Sequence, residues 1–165
     1  MRSRTTINCV PRLVEWVTYE MKINLRPITP DNYKDVISLQ VSKEQAHLVA
    51  PNVLTLAQMQ FRYEKTALAI YTEDTLVGLI AYDLYDYDIW RLMIDERYQG
   101  RGYGRQALKR VIEILRLHGA QSEVRTDIVP DNKAAKTLYE SLGFRENQPS
   151  SNGDEDETIE MILHL

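Results

Sequence analysis

Gly100, Gly102 and Gly104 stand within five residues, between a short apolar run, Leu92-Met93-Ile94, and an amphipathic segment, Gln106 to His118. That order specifies a strand, a loop and a helix. A tight turn before a helix needs one glycine, not three. Glycine lets backbone N–H groups approach a ligand with no Cβ in the way. A helix start adds unpaired N–H donors and the positive end of a dipole. Arg101 and Arg105 add positive charge beside them. The stretch from Asp95 to Arg105 therefore reads as an anion cradle, and the expected anion is a pyrophosphate.

The rest of the chain builds a sheet around this unit. Lys22 to Ile28 alternates as a strand does, with Ile23 and Leu25 on one face. Thr29-Pro30-Asp31 opens a helix through Tyr33, Val36, Ile37 and Gln40. Ser42 to Gln45 starts a second helix that runs to Ala50, where Pro51 and Asn52 break it, and a further helical piece covers Leu56 to Tyr63. Ala67–Tyr71 and Leu76–Tyr82 form a hairpin, with Gly78 marking a bulge or a close approach. Ile89 to Ile94 is the strand that feeds the cradle. After the long helix, capped by Gly119, come a strand at Ser122–Val129, a short helix at Lys133–Leu142 closed by Gly143, and two last strands, Phe144–Glu146 and Thr158–Leu163. The acidic run Asp154 to Glu157 between those strands reads as a solvated loop. The fold class is α/β or α+β, a mixed sheet flanked by helices.

Composition narrows the partners. The 165 residues suit one domain, and the net charge of −4 argues against a nucleic-acid or anionic-membrane surface while suiting a cationic partner. No window holds the roughly 18 apolar residues a membrane helix needs. The single cysteine, Cys9, forms no internal disulfide and fits a reducing, cytoplasmic compartment. His47, His118 and His164 are scattered without metal-ligand spacing, so no metal is expected. Met21 to Pro27 reads as the first strand of the domain. Residues 1–20 before it are expected to be a translated leader or a short helix packed on the domain, with no role for Cys9.

The cradle is neither of two common phosphate loops. A dinucleotide fingerprint fails because Arg105 stands where the third glycine belongs, and the Gly-Lys-Ser/Thr ending of a P-loop is absent. What remains is Gln99-x-x-Gly102-x-Gly104 after the strand ending Met93-Ile94-Asp95. It resembles the acetyl-CoA motif of the GNAT superfamily of N-acetyltransferases. The segment Asn132 to Phe144, with Tyr139 and Leu142-Gly143-Phe144, is similar to that family's second signature. The resemblance covers residues 21–165. Gln45 to Asn52, Leu56-Ala57-Gln58 and Trp90 to Asp95 further resemble bacterial spermine/spermidine acetyltransferases.

The resemblance implies a mostly antiparallel sheet whose one parallel pair splays at the acetyl-CoA site, and a homodimer. It implies a pantetheine arm along Leu92, Met93 and Ile94. The pyrophosphate would lie on Gly100, Arg101, Gly102, Tyr103 and Gly104, with Gln99 at the entry, Arg105 or Arg101 within reach, and Asn132 bonding the cofactor. Tyr139 is the expected general acid for the departing thiolate. An alkyl amine has a pKa of about 10.4, so a base must deprotonate the acceptor. Asp88 is the candidate, with Asp83 and Asp86 as rivals. Asp83, Asp86 and Glu44, with Glu64, would rim the site for a small cationic amine, a polyamine first. A protein N-terminus, a lysine or a drug amine is the alternative acceptor, and a CoA-binding module without catalysis the non-enzymatic one.

Overall fold

Runs of alternating or wholly apolar residues become seven strands in the computed structural model, which describes residues 23–120, 122–147 and 158–165. The leader, Cys9, the strand start at Lys22 and the acidic run Asp154 to Glu157 lie outside the described residues. The strands are β1 (Ile23–Pro27), β2 (Lys65–Thr72), β3 (Thr75–Asp83), β4 (Asp88–Ile94), β5 (Glu123–Ile128), β6 (Arg145–Glu146) and β7 (Ile159–His164). They form one sheet in the order β1-β2-β3-β4-β5-β7-β6. Every neighbouring pair is antiparallel except β4 and β5.

Four helices cover its two faces: α1 (Tyr33–Ser38), α2 (Asn52–Gln58), α3 (Tyr103–Leu117) and α4 (Lys133–Glu140). On one face α3 buries Tyr103, Ala107, Leu108, Val111, Ile112 and Leu115 against Ile70, Val77, Ile80, Ile89 and Val124. Each Leu, Ile or Val among them contributes about 1.5–3 kcal/mol when fully buried. Tyr139 of α4 and Phe144 join the same core, their rings edge to face at 5.1 Å. On the other face Val36 and Leu39, from α1 and its C-terminal end, pack on Ala69, Leu79, Ala81 and Met93.

Two bulges shape the central strands. The β2–β3 register steps from Ile70↔Gly78 to Tyr71↔Leu76, which leaves Val77 as an extra residue. The β3–β4 register steps from Ala81↔Arg91 to Tyr82↔Ile89, which leaves Trp90 extra. Side chains alternate with period two, so one extra residue moves everything beyond it to the opposite face. Ile89 and Leu92 consequently share the α3 side of the sheet, and Met93 faces α1. Gly78 is a close approach: a Cβ there would meet the Met93 carbonyl oxygen at 2.4 Å.

Three local expectations change. The helix expected from Ser42 to Ala50 is one 3-10 turn, Lys43–Gln45, followed by turns. Its Ser42 makes no side-chain cap, and its side chains are drawn to different neighbours rather than to one buried face. The next helix starts at Asn52 rather than Leu56. Pro51 serves as its N-cap, and the buried Asn52 amide donates to the Val36 carbonyl at 2.8 Å. The long helix begins at Tyr103, so Tyr103, Gly104 and Arg105 belong to its first turn and not to the loop.

Replacing Gly78 with alanine forces β3 away from the β4 backbone. The expected outcome is a loss of about 1–3 kcal/mol, read as a lower midpoint in chemical denaturation.

Candidate active site

The parallel strands β4 and β5 share a single register pair, Asp88↔Arg125. Two bonds fasten that junction: the Arg125 N–H donates to the Tyr87 carbonyl at 3.0 Å, and the buried Thr126 hydroxyl donates to the Ile89 carbonyl at 2.8 Å. Beyond it the strands part, and a cavity of about 880 Å³ opens there. Leu92, Met93 and Ile94 form one wall, Thr126 to Val129 another, and Gln99, Gly100, Gly102, Tyr103, Gly104 and Arg105 one end. Asn132 and Tyr139 of the α4 region reach the same space, and the segment Gln45 to Pro51 roofs it.

The roof is tied down at both ends and in the middle. Asn52 holds one end. At the other, the Gln40 N–H donates to the Asp95 carboxylate at 3.1 Å, and the Glu96 N–H donates back to the Gln40 carbonyl at 2.8 Å. In the middle, the Gln99 amide donates to both the Gln45 side-chain oxygen and the Ile94 carbonyl, each at 2.9 Å. Asp95 is buried, and it also accepts from the Arg97 N–H and guanidinium. Burial alone would raise its pKa, but the bonds from Arg97 and Gln40 outweigh that and hold the carboxyl below its ordinary value.

The glycine loop has the backbone an anion cradle needs. Gly100 and Gly102 hold φ of 73° and 81°, in the left-handed region, and a Cβ added at either would meet nothing within 4 Å. Gly102 is the N-cap of α3, so the N–H groups of the following turn face the cavity end unpaired by the helix. A Cβ added at Gly104 would meet the side chains of Leu138, Ile94 and Leu92 at 3.5–3.7 Å, so the first turn of α3 lies close to β4 and α4. Arg105 donates to the Ser141 hydroxyl and carbonyl, each at 3.1 Å, and Arg101 donates to the Arg97 carbonyl at 3.1 Å. Both guanidiniums thus have protein partners. Asn132 caps α4 through its side-chain oxygen, which accepts from the Ala135 N–H at 3.0 Å and leaves its amide N–H groups for the cavity.

Tyr139 is buried, and burial pushes its phenol up to about 12; the Thr126 hydroxyl beside it pulls the other way and the charge of Asp88 pushes further up. Asp88 is raised to about 6, first by burial. Lys65 pulls it down, while Asp127, Asp83 and Asp86 push it up. Asp88 lies just behind the cavity wall, next to Ile89 and Trp90, which line it.

The other acidic candidates separate. Asp83 is buried in the sheet: one oxygen accepts from the Tyr85 and Asp86 N–H groups at 2.7 and 3.1 Å, the other from Lys65 at 3.3 Å. Asp86 and Glu44 are exposed and stand apart from the cavity lining, and Glu64 pairs with Arg62 at 3.8 Å. Asp127, which sequence reasoning missed, lines the cavity, and burial and then Glu160 raise its pKa. Only its place in the alternation of β5 could have signalled it, since Asp127 lies on the face opposite Thr126. Trp90 and Arg91 were also missed. Arg91 lines the cavity, stacks on the Trp90 ring at 4.4 Å and donates to the Trp90 carbonyl at 2.9 Å. Its Nε is buried without an acceptor among the described residues.

A parallel pair that parts, a glycine loop and helix start at one end of the gap and a buried tyrosine lining it make up the site. The chain belongs to the acetyltransferase (GNAT) family, whose model matches residues 33–144. It is 31% identical over 137 residues to the spermine/spermidine N(1)-acetyltransferase of Bacillus subtilis (strain 168), covering 77% of this chain and 90% of that protein. A shorter stretch of 61 residues, 37% of this chain and 36% of the relative, is 39% identical to the N-alpha-acetyltransferase RimI of Mycobacterium tuberculosis. Among solved structures, spermidine N-acetyltransferase from Vibrio cholerae in complex with CoA and spermine superposes with a TM-score of 0.66 at 15% identity, over 86% of this chain and 94% of that one.

Asp95 carries a sign-definite consequence. A depressed native pKa adds stability that is present above the unfolded value of about 3.9 and is lost as pH falls through the native one. Asp95→Asn is expected to cost about 2 kcal/mol at neutral pH and much less in acid. Denaturation midpoints measured from pH 7 down to pH 3 check this.

Proposed function

We propose that the protein moves an acetyl group from acetyl-CoA to a primary amine of a small polycation such as spermidine or spermine. What supports the reading is one space onto which the cradle, Tyr139 and the Asp127 carboxylate all open, with Asp88 at its wall. The catalytic unit in this reading spans residues 21–165. The family resemblance supports a homodimer, and the single cysteine suits a cytoplasmic setting.

The residues present fit the donor. The N–H groups from Arg101 to Gly104 would hold the pyrophosphate. The edge of Leu92 to Ile94, unpaired beyond the Asp88 junction, would take the amide-bearing arm as a sheet edge takes a strand. Arg101 and Arg105 each keep guanidinium N–H groups beyond those bonded to Arg97 and Ser141, and these would be available to the phosphates. Acetyl-CoA supplies the activated acetyl group, and the chain's own residues handle the protons.

The acceptor arrives as an ammonium. Asp127 meets it at the cavity surface, and Asp88 takes one proton through a bridging water. A carboxylate with a pKa of about 6 is ionised at neutral pH and still basic enough to accept. Tyr139 faces the departing sulfur. A phenol near 12 stays protonated and is a much weaker acid than a thiol of about 8.5, so its first service is a hydrogen bond to the developing thiolate. Transfer to sulfur is completed as the nitrogen's second proton restores the phenol. The amine thus loses two protons, one to Asp88 and one that ends on CoA by way of Tyr139.

Arg91 favours a second reading. A buried N–H without a partner costs about 1–3 kcal/mol, and an acceptor that carries an oxygen near its amine would satisfy it. A peptide N-terminus has such an oxygen and a polyamine has none.

An assay of CoA release against spermine, spermidine, a lysine peptide and an alanine-led peptide decides between the two. Turnover of the polyamines well above the peptides is the expected result. Preference for the peptides supports the Arg91 reading, and CoA binding without turnover of any amine removes the enzymatic one. Tyr139→Phe is expected to lower kcat by about 10²-fold or more with CoA affinity unchanged. The acid limb of kcat/KM is expected near pH 6, with activity rising as Asp88 ionises, and to disappear in Asp88→Asn.

A further inference from the structure

Sheet register places three charged residues in one row. Lys65 opposes Asp83, and Asp83 opposes Asp88. Residues directly opposite on adjacent strands share a face, so the three side chains stand side by side. The Lys65 ammonium reaches both carboxylates, 3.3 Å from Asp83 and 4.0 Å from Asp88. It also lies 5.2 Å from the centre of the Trp90 ring, and its side chain is only 11% exposed.

Asp83 does not share this ammonium on equal terms with Asp88. One of its oxygens is occupied by the two N–H groups of the β3–β4 turn, and the other accepts from Lys65. Asp83 is therefore a fixed anchor: it holds the ammonium of Lys65 on the β2 side of the row, pointed at Asp88. Asp88 has no comparable set of donors among the described residues. The groups that face it repel its charge from three directions: Asp83 from β3, Asp86 from the turn and Asp127 from β5. Arg91, on its own strand, attracts it, and Tyr139 from α4 is a neutral neighbour. Lys65 is the ammonium that stands against the three acids.

We propose that Lys65 is a positioning residue for acetyl transfer, anchored by Asp83 so that it holds the Asp88 carboxylate ionised and oriented to take the acceptor's proton. The assignment rests on Asp88 as the base. Lys65 touches neither substrate, since it stands outside the cavity lining. Its effect on the acceptor's proton passes through Asp88. The ion pair also explains how a half-buried carboxylate ringed by three others remains a usable base at neutral pH. Without the lysine, burial and repulsion act unopposed and Asp88 holds its proton.

The test compares Lys65→Gln with Lys65→Arg. Glutamine keeps a donor for Asp83 but removes the charge; arginine keeps the charge. An opposite charge at this range lowers a carboxyl pKa by about 1 unit or more. Lys65→Gln is therefore expected to move the acid limb of kcat/KM upward by about one pH unit, so that activity below the limb falls roughly tenfold while the high-pH plateau is kept. Lys65→Arg should leave the limb near its original place. Titration of the Asp88 side-chain carboxyl by carbon NMR should follow the same shift without substrate. Should Lys65→Gln unfold, the double variant Lys65→Gln/Asp83→Asn, which leaves no unpaired buried carboxylate at Asp83, carries the same test with a smaller upward shift. A limb that stays put in the neutral variant, or that moves equally in Lys65→Arg, overturns the assignment. Asp88→Asn run alongside separates the two levels. If the limb survives in it, Asp88 is not the base and that reading falls; if Asp88→Asn abolishes the limb but Lys65→Gln does not move it, the role of Lys65 falls alone.

Discussion

The site exists because β4 and β5 pair once and then part. Two bonds at the junction, Arg125 to Tyr87 and Thr126 to Ile89, lock the strands at Asp88. Past that point the β5-facing edge of Leu92 to Ile94 has no strand to bond. Backbone N–H and C=O groups removed from water require partners, so an open edge inside a sheet invites one from outside. The extra residue at Trp90 supports the split. It flips the alternation, so that Leu92 and Ile94 pack toward α3 while Met93 closes the opposite core. The same step brings Trp90 and Arg91 to the cavity.

Charge is distributed along this opening rather than spread over it. One end is the amino terminus of α3, reached through two left-handed glycines, where N–H donors and the helix dipole favour an anion. The other is the start of β4, where Asp88 and Asp127 favour a cation and Lys65 and Arg91 limit the repulsion between acids. Tyr139 sits between the two in kind, a neutral donor kept neutral by burial. The roof from Gln45 to Pro51 is built of turns rather than of an α-helix or strand. It is a strap fixed by Gln40, Gln45 and Asn52, and two of those three bonds lead back to the residues that flank the cradle.

Much of the fold was legible because local chemistry agreed with the tertiary outcome. The hairpin of β2 and β3, the strand before the cradle and the helix after it each carry their own period and turn residues. The segment Ser42 to Ala50 was not legible. Its conformation is set by Gln99, Asp95 and the second core, none of which is near it in sequence. Helix α2 starts four residues ahead of Leu56, because Pro51, which ends the segment before it, is also the N-cap of the helix after it. Within the site, the cradle stands out by its glycine spacing, and Tyr139 by the resemblance of Asn132 to Phe144 to a family signature. Asp83 and Asp88 are chemically identical in sequence, yet the register buries one in a filled hydrogen-bond set and leaves the other half-satisfied.

The sequence by itself determined the kind of unit, a strand, a glycine loop and a helix with its N-terminal N–H groups open, because glycine spacing, helix capping and apolar period are all short-range properties. The tertiary structure alone decided what lies across from it. Asp127 and Arg91 reach the cavity, and Lys65 reaches Asp88 behind its wall, through a single parallel register pair, a bulge and a cross-strand row. The parallel pair joins Asp88 to Arg125 and the row runs across three strands from Lys65 to Asp88, and a linear pattern carries no record of such pairings.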